Sequence, residues 1–292
     1  MKITSQTTVG EIKTASIFEN YGHLLFPVDL HFSASETLAQ IMSSSHYLWY
    51  SNLKIETSLE VMDYLSKMRE QGQQIFYSIY NQEEQKADPS RANTGLFFFR
   101  GKPNEKFAVV SAGGGFYYVA ALHDSLPHAL AISRAGYNAF ALIYRPDHAY
   151  EDLGKALDYI YEHAEYLQVS RENYSLWGGS AGARMAITLG NLQGLRHFTN
   201  SKITQAGLVV SQYTGYSQLS HFDAPTYANC GTSDGIANWR TMKMRIDGLN
   251  RLGIKSKFKA YSGLRHGFGI GKDTPAKDWI KDALAFWEQQ SN

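Results

Sequence analysis

From Phe107 to the C-terminus, short apolar runs alternate with amphipathic stretches. Short runs of four to seven residues, most of them rich in apolar side chains, read as strands: Phe107–Val110, Asn138–Tyr144, Tyr174–Trp177, Ala206–Val210, Thr226–Cys230 and Lys257–Tyr261. Between them lie helical patterns: His123–Ala135 closed by Gly136, Glu151–Leu167, Ala183–Leu192, Ala237–Leu252 ending at Gly253, and Ala276–Gln289. In the Glu151 helix, Leu153, Leu157, Ile160 and Ala164 share one face. Strands alternating with helices predict βαβ crossovers, hence an α/β fold with a mostly parallel sheet and helices on both faces.

Upstream the pattern changes. Ile75–Tyr80 and Leu96–Phe99 read as strands that pair antiparallel at the sheet edge, with a polar loop over Asn81–Asn93. Thr57-Ser58-Leu59-Glu60 has the form of a capping box and opens a helix, with Val61, Leu65 and Met68 on one face and Gly72 as its stop. Residues 1 to about 55 are hardest to read. Ser35 could cap a short helix to Met42, and Tyr47-Leu48-Trp49-Tyr50 is a dense aromatic cluster that either anchors its segment to the core or covers a site. The expected organisation is an N-terminal helical extension over 1–74, a candidate cap, and a catalytic α/β domain over 75–292. No internal repeat, low-complexity stretch or long linker is apparent.

Composition narrows the function. With 28 Lys and Arg against 27 Asp and Glu, the chain has no basic field for nucleic acid and no acidic tail. Cys230 is the single cysteine, which excludes an internal disulfide and disfavours a cysteine metal site; neither metal nor cofactor is expected. No apolar run approaches the length of a membrane span, and Met1–Gln6 lacks the apolar core of a leader, so a cytoplasmic protein is expected. A homo-oligomer is left open.

The candidate chemistry centres on Gly178-Gly179-Ser180-Ala181-Gly182, a Gly-x-Ser-x-Gly pattern between a strand and a helix. A serine on so tight a turn needs small neighbours, and the helix beginning there aims its amides at developing negative charge. A nucleophilic serine needs a base, and the base an orienting acid. His266, in the glycine-flanked loop after the last strand, is favoured over His197 and His221. Asp234, in the small-residue turn after Cys230, is favoured over Asp223 and Asp247, although an Asp there could also cap the next helix. Ser111-Ala112-Gly113-Gly114-Gly115-Phe116 ends another strand and reads as an oxyanion loop, completed by the amide of Ala181. Neither a phosphate-loop nor a dinucleotide-loop spacing fits it.

Together these motifs resemble the α/β-hydrolase superfamily, more narrowly the esterases related to hormone-sensitive lipase and the acetyl-ester and carbohydrate esterases. The resemblance spans roughly Ile75–Gln289. It implies the α/β-hydrolase fold with Ser180 as nucleophile, His266 as base and Asp234 as orienting acid. Gly114 and Gly115, with Ala181, would donate to the oxyanion. Ala112 stands where that group carries a loop histidine, which fits better the bacterial esterases and small prolyl-peptidase-like hydrolases lacking it. The expected reaction is hydrolysis of small or medium acyl esters, acetylated sugars among them, with a small-molecule ester as the substrate. The alternatives are a prolyl-oligopeptidase-like peptidase, for which Glu83-Glu84 is the adjacent acidic pair that stands out, and an idle hydrolase fold used for binding.

Overall fold

The computed structural model describes residues 2–43, 46–200 and 203–290. Residues 1 and 291–292, at the outer ends of the two expected spans, therefore lie outside the described residues. Eight strands form one sheet: β1 (Phe76–Tyr77), β2 (Gly95–Phe99), β3 (Lys106–Ser111), β4 (Asn138–Ile143), β5 (Ser170–Gly179), β6 (Leu208–Gln212), β7 (Thr226–Gly231) and β8 (Ser256–Tyr261). Their spatial order is β1-β2-β4-β3-β5-β6-β7-β8. β1 and β2 pair antiparallel, as do β2 and β4; every other pair is parallel. The expected α/β architecture and the antiparallel edge pair are both present.

The order reverses direction at β3, since β4 lies on one side of it and β5 on the other. Right-handed crossovers then place the β3–β4 helix Leu126–Arg134 and the β4–β5 helix Ala149–Glu162 on opposite faces. Covered on both faces, these strands are mostly apolar, and every residue of β2, β3, β4, β6 and β7 is buried. Edge strand β8 is only partly covered and carries Lys257 and Lys259, charges that discourage pairing with another chain.

Several local expectations need correction. The helix expected over His123–Ala135 is two helices, Ala121–Asp124 and Leu126–Arg134; the second has Pro127 in its first turn, where a missing N–H costs nothing. The Glu151–Leu167 helix runs Ala149–Glu162 and resumes as Ala164–Leu167. The Thr57–Glu60 box does not cap: the helix already begins at Ile55, and Thr57 Oγ1 donates to the Lys54 carbonyl at 2.7 Å. Asn81–Asn93 is not only loop, because Asn81 and Glu84 form a reciprocal capping box on the short helix Gln82–Ala87. Thr37, not Ser35, caps the helix Leu38–Ser43: Gln40 N donates to its Oγ1 at 3.3 Å, and Thr37 N donates to Gln40 Oε1 at 2.8 Å.

The extension also contains a repeat that sequence reading overlooked. Thr8-Val9-Gly10-Glu11-Ile12 and Thr37-Leu38-Ala39-Gln40-Ile41 pair across a local two-fold. Val9 N donates to Glu36 O (2.8 Å) and Leu38 N to Thr7 O (3.0 Å); Gly10 N donates to Ala34 O (2.9 Å) and Ala39 N to Ser5 O (3.0 Å). Each half satisfies orphan amides at the other's helix start. Val9, Ile12, Leu25, Phe26, Leu38 and Ile41 are buried and belong to the same apolar cluster as the sheet. Among the described residues no helix is long and apolar enough to cross a membrane.

Candidate active site

The strands β3, β5, β7 and β8 run parallel and end at one edge of the sheet, and the sequence-predicted residues all follow those ends. β5 stops at Gly179 and the next helix starts at Ala181, so Ser180 alone makes the turn. It does so at φ 53° and ψ −113°, a conformation L-residues rarely adopt and which stores strain. The turn is pinned by Ser180 N donating to Gln212 O at 3.0 Å. Bulk is excluded around it. A methyl group at Gly178 would overlap the Gly182 carbonyl, and one at Gly182 the carbonyl of Ser111.

His266 lies on the loop after β8, its side chain buried. Its Nε2 is 3.0 Å from Ser180 Oγ and its Nδ1 is 2.8 Å from Asp234 Oδ2. Asp234, after β7, accepts with its other oxygen from the amides of Ile236 and Ala237, each at 2.8 Å. It thus orients the histidine and organises the turn before the Trp239–Arg251 helix; the cap of that helix itself is Asn238. Burial would raise the Asp234 pKa, but the bonds from His266 and the two amides outweigh it and hold the carboxyl below its ordinary range. Cys230 Sγ lies 3.6 Å from Asp234 Oδ2, the oxygen that faces His266, and burial beside that carboxylate pushes the thiol far up.

The glycine loop after β3 leans on the serine turn. A Cβ on Gly113 would stand 2.9 Å from Ser180 Cβ and 2.8 Å from the Gly179 carbonyl oxygen. Gly115 has φ 66°, which favours glycine. Among the described residues the amides of Gly114, Gly115 and Ala181 have no protein acceptor, the last because it is the first helical N–H. Free amides beside a serine that contacts an imidazole can receive negative charge.

Two residues at the site carry no signal in the sequence, Asp124 and Tyr213, and they meet Tyr50 of the aromatic cluster. Asp124 is wholly buried. Its Oδ2 accepts from Gly113 N (2.8 Å) and Tyr50 Oη (2.9 Å), and its Oδ1 from Tyr213 Oη. Burial and the carboxylate push both tyrosine hydroxyls well above their ordinary pKa, so both remain donors. Tyr213, at φ 34°, lays its ring 5.0 Å from His266. The aromatic cluster therefore anchors its segment to the core. Tyr47 is buried, Tyr50 reaches Asp124, and Trp49 stacks on Tyr118 at 6.0 Å over Gly115.

The competing candidates lie apart from this group. His197 is within the helix Leu192–Phe198 and packs on Phe198. His221 occupies an exposed turn. Asp223 accepts from Ser220 N and faces buried Arg245, while Asp247 pairs with Lys243 one helical turn away. Glu84 is engaged by Lys155 and by its own cap. Among the described residues no group of three or more His, Cys, Asp or Glu side chains is arranged to hold a metal. Two surface cavities, of about 540 Å³ beside Tyr161 and Arg171 and about 290 Å³ beside Tyr216 and Leu219, do not include Ser180 or His266 in their linings.

Comparison with known proteins agrees with this architecture. Residues 103–230 match the model of the BD-FAE family. No curated protein matches the chain. The apo form of Thermogutta terrifontis esterase 2 superposes with a TM-score of 0.61 at 16% identity, covering 73% of this chain and 93% of that one. An acetyl ester-xyloside bifunctional hydrolase from Caldicellulosiruptor lactoaceticus gives 0.62 at 18%, covering 73% and 95%. MGS-M1, an α/β hydrolase enzyme from a Medee basin deep-sea metagenome library, gives 0.57 at 17%, covering 74% and 96%. The chain therefore has the α/β-hydrolase fold, resembles the esterases of that superfamily, and over residues 103–230 is similar to the BD-FAE family.

Proposed function

We propose that the chain is a serine hydrolase of carboxylic esters carrying small or medium acyl groups. The observation that carries the reading is the unbroken line of contacts from Ser180 Oγ through His266 to Asp234, at 3.0 and 2.8 Å. In this reading His266 Nε2 takes the proton as Ser180 Oγ attacks the ester carbonyl. Asp234 keeps the imidazole turned toward the serine and stabilises its cation. The amides of Gly114, Gly115 and Ala181 stabilise the oxyanion. The intermediate collapses, His266 gives its proton to the leaving alcohol, and an acyl-enzyme remains. His266 then activates a water that releases the acid and restores Ser180.

A Cβ on Gly113 would meet Tyr50 Oη at 2.5 Å and Ser180 Cβ at 2.9 Å, so the glycine loop packs tightly on the serine turn. Acetylated sugars are a reasonable substrate class because one similar structure is that of an acetyl ester-xyloside hydrolase. The test is hydrolysis of nitrophenyl esters from acetyl to octanoyl, with Ser180→Ala as control. The expected result is turnover concentrated at the short chains and lowered by about 10⁴–10⁶ in the variant. Substantial turnover by folded Ser180→Ala protein would overturn the reading.

A further inference from the structure

Residues 47–51 form a strap between the two loops that carry the proposed chemistry. On one side they hold the glycine loop: Tyr118 Oη donates to Leu48 O at 2.6 Å, the Trp49 ring covers Gly115, and Tyr50 Oη donates to Asp124. On the other side they hold the histidine loop: Ser51 N is shared between the carbonyls of His266 (3.1 Å) and Gly267 (3.2 Å), and the Tyr50 ring meets His123 edge-on at 5.0 Å. His123 Nε2 in turn lies 2.9 Å from Gly267 O.

Asp124 is the knot of this arrangement. It is fully buried and has two oxygens and three donors, from the strap, from the glycine loop and from the segment after β6. It stands against the serine turn itself, where a side chain on Gly179 would collide with its Oδ2. That explains why the residue before Ser180 is glycine here. The carboxylate engages the Gly113 amide and leaves the next two amides of the loop free. A buried carboxylate with three donors costs more to disrupt than to keep, so it fixes the loop firmly.

We propose that Asp124, held by Tyr50 and Tyr213, is a positioning residue for the oxyanion-binding amides, and that the N-terminal strap is thereby a built-in part of the catalytic machinery. This rests on the hydrolase reading above. The clamp acts on the transition state, because the loop amides meet full negative charge only there.

The test uses the full chain with Tyr50→Phe, Tyr213→Phe, Asp124→Asn and the Tyr50→Phe/Asp124→Asn double variant, each checked for native circular dichroism. Asparagine offers one acceptor oxygen where three donors converge, so Asp124→Asn disrupts the clamp most. Three quantities are read: kcat and KM for nitrophenyl acetate, affinity for a trifluoromethyl ketone that forms a tetrahedral adduct on Ser180, and the rate of labelling by a fluorophosphonate. Expected are a fall in kcat of about tenfold for Tyr50→Phe and about 10²-fold for Asp124→Asn, with KM changed little and ketone affinity falling in step. The double variant should be no worse than Asp124→Asn alone, since both act through one path. Unchanged kcat and ketone affinity in folded Tyr50→Phe and Asp124→Asn proteins would overturn the clamp, as would losses confined to KM. If the wild type labels but hydrolyses no ester, the ester reading fails while labelling rates still decide the clamp. If the wild type neither labels nor turns over, both fall.

Discussion

Gly182 approaches Ser111 so closely that a methyl group on its α-carbon would overlap the Ser111 carbonyl oxygen. The helix after the serine is thus docked backbone to backbone on the end of β3. Gly182→Val should lower stability by about 3 kcal/mol or more, because backbone on both sides leaves nothing to give way. Gly215, with no atom within 4 Å of an added Cβ, supplies the control: Gly215→Ala should stay within about 0.5 kcal/mol of wild type. Urea midpoints of the two variants check this pair.

Strain at Ser180 has a thermodynamic signature. Its φ of 53° with ψ of −113° suits glycine and disfavours any side chain. Ser180→Gly should therefore raise stability by about 1 kcal/mol while abolishing turnover. Ser180→Ala, which keeps the strained backbone with a Cβ, should show the loss without the gain. Equal urea midpoints for the two variants would mean that the turn is not strained.

Stability should fall on mild acidification. Burial pushes the imidazoles of His123 and His128 below the ordinary 6.5, against the opposing pull of Asp124. The unfolded chain then binds protons at pH values where the folded chain does not. Stability is complete above about pH 6.5 and declines as pH drops toward the lower folded values, by at most about 1.4 kcal/mol per pH unit for each histidine. Asp234 acts in a separate, more acidic window. Its pKa is depressed below the ordinary 3.8, so its contribution is present above that value and is lost as pH falls through the folded one. Denaturation midpoints between pH 7.5 and 5 should flatten in His128→Gln, whereas Asp234→Asn should lower the midpoint across that range and change its slope with pH only below about pH 4.

Arg145 and Asp152 form a bidentate buried pair: Nη2 donates to Oδ1 at 2.7 Å and Nε to Oδ2 at 3.1 Å, with Tyr80 Oη donating to Oδ1 at 2.6 Å. Asp152→Ala should cost about 1–3 kcal/mol, because Arg145 loses two of its bonds but keeps the ion pair from Nη1 to Asp88 at 2.7 Å, and replacing both partners should cost less than the sum. A double-mutant cycle measured by thermal unfolding tests this.

What could be read from the chain and what could not divide along sequence distance. The serine turn, the glycine loop, Asp234 and His266 each sit in small-residue punctuation directly after an apolar run, a signal contained within about ten residues. The βαβ alternation is likewise local, and it carried the fold. Asp124 gave no such signal, because its partners Tyr50 and Tyr213 lie 74 and 89 positions away and only the closed fold brings them in. The Asn81–Glu84 box reads as loop in the sequence because nothing apolar follows it; Gln82–Ala87 has no buried residue. The Thr57–Glu60 box misled for the opposite reason. Its residues were competent to start a helix, but the chain had entered one two residues earlier, and Thr57 and Ser58 are buried within it.

The lone cysteine gains a use from where it sits. Cys230 is enclosed at the end of β7 against the carboxylate of Asp234, its thiol pushed far above the range in which it would ionise. A thiol so placed is chemically silent while the acid strand keeps its neighbours and reactive once that strand opens. The chain thus carries its own single-copy reporter beside the proposed catalytic group. Alkylation of native protein by a maleimide dye would count openings of that one region, with no engineered label and no background from a second sulfhydryl.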